Sequence, residues 1–154
     1  MTPAIDYLKK QGVVHQVLEY QHDSNAKSFG LEAADKLNLA KNKVFKTLVV
    51  STNADELAVA VLPVTHQLNL KAIAKQINCK KVTMADKSVV QRATGYVLGG
   101  VSPFGQKKRL TTWLDASAKD LEHIYISAGK RGLEIQIAPN MLIKHLTAKF
   151  AEIT

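Results

Sequence analysis

Val44-Phe45-Lys46-Thr47-Leu48-Val49-Val50-Ser51-Thr52 and Leu57-Ala58-Val59-Ala60-Val61-Leu62 are two runs rich in β-branched and apolar residues. Asn53-Ala54-Asp55 between them is a turn signal, and Pro63 ends the second run. The pattern predicts two adjacent strands joined as a hairpin. The first run reads as a buried strand with one ammonium, Lys46, inside it. A lysine there is costly unless it snorkels, pairs or does chemistry.

Working outward, Thr2 to Gln11 predicts a helix, with Thr2 as N-cap, Pro3 at its first position and Gly12 as stop. Val13 to Tyr20 reads as a strand and residues 21–27 as a loop. Ser28 to about Asn38 is a second helix with Leu31, Ala34 and Leu37 on its inner face. Asn69 caps a helix that turns Leu70, Ile73, Ala74 and Ile77 inward. Lys80 to Met84 is a short strand, and Asp86 caps a helix from Lys87 to about Arg92. Thr111–Leu114, His123–Ser127 and Leu133–Ala138 are further strands. Pro139 starts a last helix bearing Met141, Leu142, His145, Leu146 and Phe150. Hairpins mix with single crossovers and no βαβ period repeats. The expected class is α+β: one domain over 1–154, with a curved mixed sheet of about six or seven strands flanked by helices.

The chain has 154 residues, 46% hydrophobic and 22% charged, which suits one soluble domain with a real core. A net charge of +8 and a pI near 9.6 favour a polyanionic partner such as RNA. No apolar run approaches the roughly 20 residues of a membrane span, and the first ten residues do not form a signal peptide. The single cysteine, Cys79, excludes an internal disulfide. A cytoplasmic protein without a membrane partner is the expectation.

Gly99-Gly100-Val101-Ser102-Pro103-Phe104-Gly105 holds three glycines, a proline and a hydroxyl in seven residues. Glycines permit positive φ or close approach of the backbone to a ligand. Pro103 fixes its own φ and pushes Ser102 toward an extended conformation. Such a loop can offer backbone N–H groups to an anionic or carbonyl oxygen. Taken alone, a Gly/Pro cluster is an ordinary turn. It is not a phosphate-binding Gly-Lys-Ser/Thr loop. Nor is it a Gly-x-Ser-x-Gly elbow, because Phe104 stands where the last glycine belongs. His15, His22, His66, His123 and His145 show no ligand spacing, so no metal and no cofactor are expected. Cys79, beside Lys80 and Lys81, reads as a small junction residue rather than a nucleophile. Lys107-Lys108-Arg109 and Lys130-Arg131 are candidates for an RNA-facing rim.

Three segments together become specific. VFKTLVV, GGVSPFG and SAGKRGLEIQIAP resemble the YbaK/EbsC family of aminoacyl-tRNA deacylases, within the editing-domain superfamily of bacterial prolyl-tRNA synthetases. The resemblance runs over essentially the whole chain and implies a partly open, barrel-like sheet with the site on one side. It implies hydrolysis in trans of a mischarged aminoacyl-tRNA, with cysteinyl-tRNA(Pro) first among substrates. The tRNA(Pro) acceptor end and prolyl-tRNA synthetase are the implied partners, and no DNA is expected. Lys46 is then the key lysine, in the pocket for the 3′-terminal adenosine. Gly99 and Gly100 join it as catalytic backbone; Thr47, Val101, Ser102 and Pro103 face substrate. Tyr20 matches the family's pocket tyrosine, Phe29-Gly30 its flank, and Ser127 and Gly129 its small-residue strand end. Glu134 stands where the family has a carboxylate or another polar group, and its role is left open. No protein nucleophile is evident, so water or the substrate's own thiol would attack. The alternatives are a deacylase for another small amino acid such as alanine, and a non-catalytic RNA- or nucleotide-binding module that keeps the pocket.

Overall fold

The computed structural model describes residues 1–154. The hairpin forms as the sequence predicts. Strand β2 (Phe45–Thr52) pairs antiparallel with β3 (Leu57–Pro63), setting Lys46 opposite Leu62. Strand β4 (Val82–Met84) adds to the other edge of β2. Beyond β3, strand β5 (Thr111–Asp115) and then β8 (Lys149–Ala151) are added in parallel, giving a mixed five-stranded sheet. A second, antiparallel sheet has the order β1 (Gln16–Glu19), β7 (Leu133–Ile137), β6 (Ile124–Ser127). The fold is α+β. Its eight strands lie in two sheets rather than one, joined at their rims by a parallel bridge between Val44 and Tyr125 and not closed into a barrel.

Strand β3 explains its own composition. Val59 and Val61 enter one core, shared with Phe45, Ile124, Ile126, Ile135 and Ile137. Ala58, Ala60 and Leu62 enter a second core, under helix α3 (Leu70–Ile77). A strand buried on both faces has no polar side to show and reads as a continuous apolar run.

The helix caps follow the sequence closely. Helix α1 (Pro3–Lys10) starts at Thr2, whose Oγ1 accepts from the Ile5 N–H at 3.2 Å and donates to the Ala128 carbonyl at 2.5 Å. That second bond ties the amino terminus to the end of β6. Ser28 caps α2 (Phe29–Lys36) and Asn69 caps α3. Asp86 sits at the N-cap of α4 (Lys87–Thr94), but its carboxylate makes no capping bond.

Two further expectations are corrected. The last helix, α5 (Asn140–Leu146), does not reach Phe150: Thr147 takes a left-handed conformation (φ +56°) and Phe150 enters β8. Helix α2 is rotated from the expected face. Leu31 is exposed, Leu37 is half-buried, and Glu32 is buried beside Ala33 and Ala34.

Glu32 is inside because its partners come with it. Its Oε1 accepts from His22 Nδ1 at 2.7 Å and its Oε2 from the Asp23 N–H at 2.7 Å; Lys36 Nζ lies 3.1 Å away and also bonds the Gln21 carbonyl. Burial would raise this carboxyl, but the Asp23 N–H, His22 and Lys36 together bring it from 4.5 down to about 2. A depressed carboxyl contributes stability that is complete above about pH 4.5 and lost as pH falls through about 2. Thermal unfolding followed across that window is expected to show the loss, and Glu32→Gln to flatten it. A variant with the parent's acid profile would show that the network contributes nothing.

Candidate active site

A cavity of about 300 Å³ opens where four segments meet. Strand β2 brings Phe45, Lys46, Thr47 and Leu48. The glycine loop brings Leu98, Gly99 and Val101. The β6–β7 turn region brings Ser127, Lys130, Arg131 and Glu134. Tyr20 and Lys27–Gly30 close the remaining side with Val64. The network at Glu32 fixes residues 21–23 against α2 and so holds the stretch between Tyr20 and Phe29 that forms this wall.

The wall has an internal strut. Phe29 lies under the Arg131 guanidinium, 4.0 Å from the ring centroid, a cation–π distance. Arg131 Nη2 donates to the Leu98 carbonyl at 2.9 Å, joining the β6–β7 turn to the glycine loop. Gly99 lies against the same ring with φ +86°; a Cβ there would come within 2.4 Å of Phe29 Cε2. Glycine is therefore required at this position on two independent grounds, backbone conformation and space.

Two residues lining the cavity carry polar atoms without partners. Thr47 Oγ1 and Glu134 Oε2 are buried and bonded to nothing in the chain. Buried polar atoms in folded proteins nearly always have partners; three lack one in this chain, and two of them belong to residues lining this cavity, the third being Trp113 Nε1 in the second core. Lys46 is half-buried and forms no ion pair; both of the chain's salt bridges belong to Glu32. Burial lowers the Lys46 pKa and pushes the Glu134 carboxyl up to about 8. Tyr20 is pushed up by burial as well, with the nearby Glu134 and Glu32 adding to the rise.

Among backbone donors, the Gly99 and Val101 N–H groups take part in none of the chain's hydrogen bonds. The Gly100 N–H is committed to the Val97 carbonyl at 2.9 Å. Of the two glycines singled out by sequence, Gly99 therefore offers a donor and Gly100 does not. A Cβ at Gly100 would meet only ordinary contacts, 3.6–3.7 Å from the Gly129–Arg131 backbone.

Eleven of the residues picked from sequence line this cavity: Tyr20, Phe29, Gly30, Lys46, Thr47, Gly99, Val101, Ser127, Lys130, Arg131 and Glu134. Seven do not. Gly100 backs the loop. Ser102 is fully buried beneath it, its Oγ accepting from the Phe104 N–H at 3.4 Å. Gly129 supports the turn, donating to Ser127 Oγ at 3.1 Å against the Tyr96 ring. Pro103, Lys107, Lys108 and Arg109 line a separate hollow of about 210 Å³, where Arg109 Nη2 donates to the His145 carbonyl at 2.6 Å. Lys27, Ser28, Phe45, Leu48, Val64 and Leu98 line the cavity without having been singled out; Lys27 and Ser28 directly precede Phe29-Gly30, and Phe45 and Leu48 flank Lys46-Thr47, and that adjacency was the available signal. No histidine or cysteine reaches the cavity, and its hydroxyls have no basic partner, so no hydroxyl or thiol of the chain is activated as a nucleophile there.

The model of the aminoacyl-tRNA editing domain family matches residues 23–145. A candidate Cys-tRNA(Pro)/Cys-tRNA(Cys) deacylase of Enterococcus faecalis, EbsC, is 41% identical over 121 residues, covering 79% of this chain and 74% of that one. A proline–tRNA ligase of Syntrophotalea carbinolica is 33% identical over 72 residues, which are 47% of this chain but 13% of the ligase. The crystal structure of a candidate trans-editing enzyme for prolyl-tRNA synthetase superimposes with a TM-score of 0.87 at 19% identity, covering 99% of this chain and 94% of that chain, a likeness of fold. The match over most of the chain, and the 41% identity beyond it, show that this protein belongs to the aminoacyl-tRNA editing domain family.

Proposed function

We propose that this protein hydrolyses the ester of a mischarged aminoacyl-tRNA in trans, with cysteinyl-tRNA(Pro) as the first substrate. The observation that carries the reading is an unpaired, half-buried Lys46 in one cavity with two uncommitted backbone N–H groups, at Gly99 and Val101. The ammonium suits a phosphate of the RNA 3′ end. The N–H groups suit an ester carbonyl that gains negative charge as it is attacked. The relative named as a Cys-tRNA(Pro)/Cys-tRNA(Cys) deacylase supports the substrate. The match to a proline–tRNA ligase supports prolyl-tRNA synthetase as partner and the cytoplasm as the place of work.

With no side chain poised as nucleophile, the attacking group comes from elsewhere. It is water, or the sulfur of the bound cysteine, which would expel the ribose oxygen from its own ester. Single-turnover deacylation of a panel of aminoacyl-tRNAs tests the reading. Small residues are expected to be cleared and large ones left, because about 300 Å³ must also admit part of the terminal nucleotide. Clearance without regard to size would refute a role for this cavity.

The RNA path past the cavity mouth would be basic. Lys27 and Lys130 are exposed at the rim, and Lys107 and Lys108 stand exposed at the second hollow. Affinity is expected to fall with salt, with a log–log slope of about 0.7 per neutralised phosphate of a single strand. Reversing Lys107 and Lys108 together should flatten that slope by roughly one unit or more. An unchanged slope would leave the path to Lys27 and Lys130 alone.

A further inference from the structure

We propose that Glu134 receives the α-ammonium of the aminoacyl ester, so that the cavity accepts esters of free amino acids and refuses N-blocked ones. This rests on the reading of the cavity given above and deepens it.

Glu134 is 6% exposed, on β7, and lines the cavity; its Oε2 is buried and has no partner in the chain. All the segments around the cavity except the glycine loop and Val64 bring titratable or polar side chains. Tyr20 follows β1, Lys46 and Thr47 lie on β2, Lys27 precedes α2, and Ser127, Lys130 and Arg131 come from the β6–β7 region. None is ion-paired or hydrogen-bonded to Glu134. Arg131, the guanidinium that could have served, is engaged with Phe29 and the Leu98 carbonyl. The cavity thus holds a cation without an anion, Lys46, and a carboxyl without a cation, Glu134. A ligand that completes both carries a phosphate and an ammonium. An aminoacyl ester at a nucleic acid 3′ end carries both, on either side of the scissile bond.

An unpaired Glu134 avoids being an isolated buried charge by staying protonated. Burial holds the Glu134 carboxyl up at about 8. An α-amino group ordinarily titrates at about 7.7–8.0. At pH 7 the two free partners therefore carry a proton each. In the complex one proton lies between carboxylate and amine as an ion pair, and the other passes to the buffer. Binding is expected to release about one proton near pH 7 and to take one up above about pH 9, where both free partners are deprotonated.

The probe is 3′-amino-3′-deoxyadenosine 5′-phosphate carrying cysteine through a stable amide, with its N-acetylated twin as control. Calorimetry in two buffers of different ionisation enthalpy reads both affinity and protons. The wild-type protein is expected to bind the twin about 10- to 100-fold more weakly, the range for a lost charge-assisted hydrogen bond. Glu134→Gln should weaken the amine form by the same factor and leave the twin unchanged. Equal binding of the two compounds by the wild-type protein would overturn the inference, whether or not the variant folds. So would discrimination that survives in Glu134→Gln. Failure of the deacylase reading looks different: the protein would discriminate the twins yet clear no aminoacyl-tRNA. If instead the twins bind alike and Lys46→Ala weakens both, the nucleotide site stands and Glu134 has another role.

Discussion

Lys46→Ala is expected to lower single-turnover deacylation by on the order of 10²-fold or more, while the protein stays folded. The ammonium is the one positive charge held half-buried in the cavity by a strand, and nothing in the chain neutralises it. Its removal takes away whatever holds the negative end of the substrate in register with the Gly99 and Val101 N–H groups. A substrate misplaced by about 1 Å loses catalysis on a comparable scale. Stability should move the other way or not at all. Burial depresses the Lys46 pKa, so the charged form is less at home in the folded state than in the unfolded one. Its loss relieves that penalty, against a modest loss of packing by the methylene stem. A melting temperature within about 5 °C of the parent is expected. A variant that deacylates at the parent's rate would remove Lys46 from the mechanism. A variant that unfolds would give the residue a structural role instead.

Gly99→Val is expected to be nearly as damaging, and Gly100→Ala close to silent. The two glycines are neighbours, but only Gly99 has φ in the left-handed region, at +86°. A side chain there also meets Phe29 Cε2 at 2.4 Å and Arg131 Nε at 3.1 Å. Either the loop retreats, carrying its free N–H away, or the Phe29–Arg131 stack is driven apart. Backbone strain of this kind costs about 1–3 kcal/mol before the clash is counted. Activity should fall more than stability, because the stack and the N–H both belong to the cavity. At Gly100 the added methyl finds ordinary contacts at 3.6 Å. Melting curves and single-turnover rates for the two variants decide the matter. Equal tolerance at both positions would reduce the loop to a plain turn.

What was legible in the sequence followed from short-range physics. The β2–β3 hairpin declared itself through two apolar runs around a polar turn, and α1 through Thr2, Pro3 and Gly12. The cavity was legible as three segments: a lysine in a strand and glycines in a loop are local oddities in an apolar frame, whereas the segment around Lys130-Arg131 was picked out only by its resemblance to a family, with the role of Glu134 left open. The failures arose where distant residues decide. Glu32 reads as an exposed helix position, and only the folded loop brings His22 and the Asp23 N–H to it. That network rotates α2 and leaves Leu31 outside. Strand β8 is three residues long and begins after a threonine in a left-handed turn, a conformation that threonine does not advertise. Phe150 could thus continue a helical spacing on paper. The basic residues were read as one rim, but Lys130–Arg131 and Lys107–Arg109 lie on two hollows, separated by the way the loop after Gly100 turns inward at Ser102.

The central claim is that this cavity releases a small amino acid from tRNA without a nucleophile of its own. The most direct test compares cysteinyl-tRNA(Pro) with seryl-tRNA(Pro) in single turnover, from about pH 6 to about pH 9, across the ordinary thiol pKa. The two esters are nearly the same size, and a pocket separates such near-isosteres by only about 10²-fold. If the substrate sulfur attacks, cysteine should be cleared faster than that margin allows, and its rate should climb with the thiolate while the serine rate does not. Parallel pH profiles at similar rates would assign the attack to water and the specificity to pocket contacts. No acceleration of either ester over its hydrolysis without protein would contradict the account itself.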